Sequence, residues 1–137
     1  MNKILWNPKN INKTKLKDFT DFINDKYELD IVSHQELYKW SIKKIPNFWS
    51  EILEYSQVKY SGDADNVLTE LEMKPGLKWF PNISLNFAEN LLKHKNDELA
   101  IISKNENSDL VKITYNELYL SVAKLAYSLK KLGLKQG

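Results

Sequence analysis

Lys78-Trp79-Phe80-Pro81-Asn82-Ile83-Ser84-Leu85-Asn86-Phe87-Ala88-Glu89-Asn90-Leu91-Leu92 is the stretch around which the rest of the chain is organised. Trp79 and Phe80 are large apolar groups, Pro81 fixes φ and lacks an N–H, and Asn82 can close a turn. An extended, buried crossing that ends in a turn is therefore expected. Asn86 can then cap a short helix, with Glu89 three residues on to return the bond and Phe87, Ala88, Leu91 and Leu92 supplying an apolar face. Buried aromatics ordinarily mean packing, so the stretch reads first as core.

Before the stretch the chain has the grammar of short helices. Ile4-Leu5-Trp6 is a short apolar run closed by Pro8. Leu16, Phe19, Phe22, Ile23 and Tyr27 then recur at three- to four-residue intervals, which places them on one side of a helix beginning near Thr14. Ser33 and Glu36 have the spacing of a capping box for a second helix through Ile42, stopped by Ile45-Pro46. Asn47 is read as the cap of a third helix carrying Phe48, Trp49, Ile52 and Leu53 and ending before Tyr60, with Trp40, Phe48 and Trp49 in one aromatic cluster. Ser61 to Asn66 reads as a loop. Lys74-Pro75-Gly76 suits a type II turn, and Val67 to Met73 between them is ambiguous.

After the stretch the grammar changes. Leu99 to Ser103 and Leu110 to Thr114 are β-type runs around the turn-rich Lys104 to Asp109, which predicts a hairpin. Thr114 and Glu117 form another capping box, followed by a helix of about five turns with Leu118, Val122, Leu125, Leu129 and Leu132 along one seam. Gly133 follows as its C-terminal stop, with Leu134 placed to return on Leu129.

On length alone, 137 residues make a single domain the default. Twenty basic and 18 acidic side chains leave a net charge of +2 and no field suited to nucleic acid. The chain has no cysteine, hence neither disulfides nor thiolate metal sites, which fits a reducing compartment. No apolar run approaches a membrane span of about 18 residues, and Met1 to Thr14 is too polar for a signal peptide. A soluble cytoplasmic protein with neither nucleic-acid nor membrane partners is expected.

The pattern Trp79-Phe80-Pro81, then Leu85-Asn86-Phe87-Ala88-Glu89-Asn90-Leu91-Leu92, resembles the signature of acetoacetyl-CoA synthetases. Ile4-Leu5-Trp6 with Pro8, Glu36-Leu37-Tyr38 with Trp40-Ser41, Phe48-Trp49, and Met73 with Pro75-Gly76 agree with it. Acetyl-CoA synthetases are similar from Trp79 to Asn86 but do not usually continue as this chain does. Asn82 departs from the family, which usually has Gly there. If that turn needs positive φ, Asn is the least costly other choice.

The resemblance implies an α+β or α/β fragment: residues 1–77 as an N-terminal helical cap region, and residues 78–137 as the start of the AMP-binding, adenylate-forming domain, whose hairpin and helix continue into further strands beyond Gly137. It implies a ligase that joins acetoacetate to ATP, releasing pyrophosphate, and then transfers the acyl group to coenzyme A. ATP, CoA and Mg2+ would serve the full-length enzyme and none would bind this chain, whose partner would be the remainder of the adenylate-forming domain.

Such chemistry needs a Gly- and hydroxyl-rich phosphate loop, a metal and a cation. Gly62, Gly76, Gly133 and Gly137 are isolated from one another, and the family's catalytic lysine lies beyond Gly137, so no residue is assigned a catalytic, cofactor-binding or metal role. His34 and His94 lack a second histidine at helical spacing, and Asp63 with Asp65 reads as a solvated turn rather than a calcium loop. Lys93-His94-Lys95 suits the C-terminal end of the Asn86 helix. Trp40, Trp49 and Trp79 are placed in the core. Two other readings stay open: a non-catalytic interaction module whose exposed aromatic patch recruits a partner or a second copy, and a fragment of an acetyl- or propionyl-CoA synthetase.

Overall fold

The computed structural model describes residues 8–70, 74–107 and 109–135. Ile4-Leu5-Trp6, Leu71 to Met73 and Gly137 lie outside them. The chain forms two compact units, Met1–Ser84 and Leu85–Gly137.

The first unit is built on three helices whose starts are set locally. A 3-10 turn at Ile11–Lys13 leads to Thr14, whose hydroxyl accepts from the Lys17 N–H and opens α1, Lys15–Tyr27. Ser33 opens α2, His34–Lys43, with both halves of the expected capping box in place. Helix α3, Ile45–Tyr55, starts earlier than read from the sequence. Lys44 stands at its N-cap without a side-chain bond and Pro46 lies in its first turn, so Asn47 is inside the helix and not its cap. Proline is tolerated there because the first helical N–H groups have no intrahelical acceptor to lose.

Phe19, Ile23, Ile31 and Leu37 are the buried centre of this unit, with Phe22, Tyr27, Trp40, Phe48, Ile52 and Tyr55 packed around them. Leu16, expected on the same stripe, stays half exposed. The predicted cluster of Trp40, Phe48 and Trp49 forms, with ring centroids 6.3 and 5.4 Å apart in succession. It continues to Trp79, set edge-on to Trp49 at 5.4 Å. Trp49 and Trp79 are not core, being 42% and 38% exposed.

The central stretch is an extended crossing, though half-buried rather than buried. Trp79 bridges antiparallel to Leu68, and the Phe80 N–H donates to the Val67 carbonyl at 2.8 Å. The positive φ falls at Phe80, +44°, and not at Asn82. What the segment around Asn82 does require is a glycine opposite: a Cβ on Gly62 would stand 2.1 Å from the Asn82 carbonyl oxygen. The loop expected from Ser61 accordingly begins as a strand, β1, Ser61–Gly62, paired antiparallel with β2, Ile83–Ser84. The Lys74 turn is as expected, with Gly76 at φ +95° and the Leu77 N–H donating to the Lys74 carbonyl.

In the second unit Asn86 caps α4, Phe87–Leu91, accepting from the Glu89 N–H. Strands β3, Leu99–Ser103, and β4, Val111–Thr114, form the expected antiparallel hairpin, with a register shift between Leu99 and Ile101. Thr114 and Glu117 complete their capping box and open α5, Tyr115–Lys131. The helix ends in a Schellman arrangement: Gly133 at φ +95°, its N–H on the Lys130 carbonyl, and the Leu134 N–H on that of Leu129. The seam of α5 is mostly uncovered, Leu125 being 61% and Leu132 84% exposed.

Candidate functional site

Two features stand out from ordinary packing. The first is a polar cluster between α1 and α3. Phe48, Ile52 and Tyr55 turn α3 toward the core, and Glu51 shares that face by helical spacing. It is 3% exposed, and such a carboxylate must be paired. Lys26 Nζ lies 2.7 Å from Glu51 Oε2 and 2.7 Å from Glu54 Oε2. Tyr27 Oη donates to Glu51 Oε1 at 2.7 Å, while Asn47 Nδ2 donates to Tyr27 Oη at 3.3 Å.

The hydrogen bond to Glu51, and next that to Glu54, holds the Lys26 ammonium well above the usual lysine range. Burial pushes the Tyr27 phenol up. Lys26 also lies 5.5 Å from the Phe22 ring centroid. A protonated amine held by two carboxylates is a poor nucleophile or base, so the cluster acts as a strut between helices. The signal for it was readable: Glu51 is an acid at a core-facing position of an apolar helix.

The second feature is an apolar groove within the second unit, about 350 Å³, formed by Ala88, Leu91 and Leu92 of the α4 region, Ala100 and Ile101 of β3, and Tyr115, Leu118 and Val122 of α5. Capping fixes where both helices begin, so these side chains line one cleft from three elements. It offers apolar surface and almost no polar anchor.

The other sequence candidates are dispersed. His34 is the first residue of α2, and His94 follows α4. Asp63 Oδ1 accepts from the Asp65 N–H, a local turn bond. Beyond α4, Lys95 sits over the Tyr119 ring, 3.8 Å from its centroid, so its ammonium serves that contact and not the α4 dipole. Among the described residues no group of three His, Cys, Asp or Glu side chains could hold a metal ion. Gly62 lies in β1, Gly76 in the Lys74 turn and Gly133 just after α5. Among the described residues no helix is long and apolar enough to cross a membrane.

Known proteins place this arrangement. The acetyl-coenzyme A synthetase N-terminus family matches residues 34–91. Acetoacetyl-CoA synthetase of Xenopus tropicalis is 36% identical over 98% of this chain and 20% of its own length. That of Mus musculus is 32% identical over the same shares. The structure of acetoacetyl-CoA synthetase from Streptomyces lividans superposes with a TM-score of 0.83 at 28% identity, covering 99% of this chain and 22% of that one. The chain thus spans about a fifth of the length of the curated relatives it matches. By sequence and by fold, it matches the N-terminal region of the acetoacetyl-CoA synthetases.

Proposed function

We propose that this chain serves as the N-terminal scaffold of an acetoacetate-CoA ligase, the enzyme that converts acetoacetate, ATP and CoA to acetoacetyl-CoA, AMP and pyrophosphate. The observation that carries this reading is the likeness to the Streptomyces lividans synthetase over 99% of the chain. In this reading residues 1–77 are the helical cap region and residues 78–137 begin the AMP-binding domain. ATP, Mg2+, CoA and acetoacetate are handled by the remainder of the enzyme, in the cytoplasm. The bare groove of the second unit supports the same division, because apolar surface of this kind requires a cover. The names of the relatives favour the acetoacetyl branch over an acetyl- or propionyl-CoA synthetase. A second reading, an interaction module that associates with a further copy of itself, draws on the same uncovered surface.

The test is complementation. The Streptomyces lividans synthetase lacking the region equivalent to this chain is assayed for acetoacetate-dependent pyrophosphate release, alone and with this chain supplied separately. Neither part alone is expected to turn over, and together they recover activity. Pyrophosphate release by this chain by itself, or no gain on mixing with a folded remainder, would overturn the proposal.

A further inference from the structure

No further inference is drawn: the strongest candidate, the apolar cavity of about 290 Å³ between α1, α2 and α3 with His34, Tyr38 and Ser41 along its α2 wall, is an unpartnered face of the first unit, and nothing in the structure shows what covers it.

Discussion

Helices α1 and α5 carry the same kind of apolar stripe and meet different fates. On α1, Phe19 and Ile23 are buried among Ile31, Leu37 and six further side chains. On α5, Val122, Leu125 and Leu129 remain exposed, as does Leu132 at its C-cap. Both helices open with a side-chain cap, and that of α5 is the more complete, a reciprocal capping box against a single bond accepted by Thr14. Periodicity states which face of a helix requires burial. It does not state whether the burying surface lies in the same stretch of chain. The first unit closes on itself, while the second leaves its strongest helix with an apolar side to be covered.

The sharpest way to break this contrast is to remove one large side chain from each stripe. Ile23, 0% exposed, has no water to replace lost contacts, so Ile23→Ala should destabilise the first unit by about 3–4 kcal/mol. Leu125→Ala should cost less than about 0.5 kcal/mol. Urea unfolding followed by tryptophan fluorescence reports the first unit, which holds all the described tryptophans. Far-UV circular dichroism follows total helix content, to which α5 contributes the longest helix. Equal losses in the two variants would mean that the α5 seam is covered in solution.

The polar strut tests the first unit from its other side. Glu51→Ala removes the buried partner of Lys26 and Tyr27 and should cost about 2 kcal/mol, below the usual loss for a broken buried pair because the partly exposed Lys26 keeps Glu54. Lys26 is held above its ordinary value, first by Glu51 and then by Glu54. Its contribution is therefore fully present below the unfolded lysine value and lost as pH rises through the folded one. Wild-type stability should fall in alkali, and Lys26→Met should flatten that fall; parallel pH curves for the two proteins would sink this account.

Caps should matter more where packing does less. Thr114→Ala removes one half of the α5 capping box and should cost about 1 kcal/mol, visible as fraying of that helix. Ser33→Ala removes the same bond from α2, where Leu37 and Trp40 hold the helix in the core, and less helicity should be lost. Greater loss from α2 than from α5 would reverse the contrast between the units.

The smallest effect is a titration. Backbone N–H bonds hold the carboxyls of Glu36, chiefly from Val32, and of Glu117, from Thr114, below the usual glutamate value. The help each gives its helix is present above the unfolded glutamate value and lost as pH falls through the folded one. Mild acid should shorten α5 before it disturbs the first unit, and Glu117→Gln should remove that step from the circular-dichroism titration.

What was legible in the sequence is what neighbouring residues decide among themselves. Thr14, Ser33, Asn86 and Thr114 open four helices, Gly76 turns at positive φ, and Gly133 ends α5, because each needs only bonds to residues a few positions away. The β3–β4 hairpin was equally local. Tertiary structure decided the rest. Asn47 became a partner of Tyr27 rather than a cap, since that phenol comes from another helix. Phe80, not Asn82, took the positive φ as its N–H met Val67 and Asn82 pressed on Gly62. Trp49 and Trp79 stayed half exposed, although each packs edge-on against the other, a contact between segments far apart in sequence. Caps and turns are fixed by bonds that the chain forms with itself at short range, whereas burial and buried charge depend on side chains that only folding brings together.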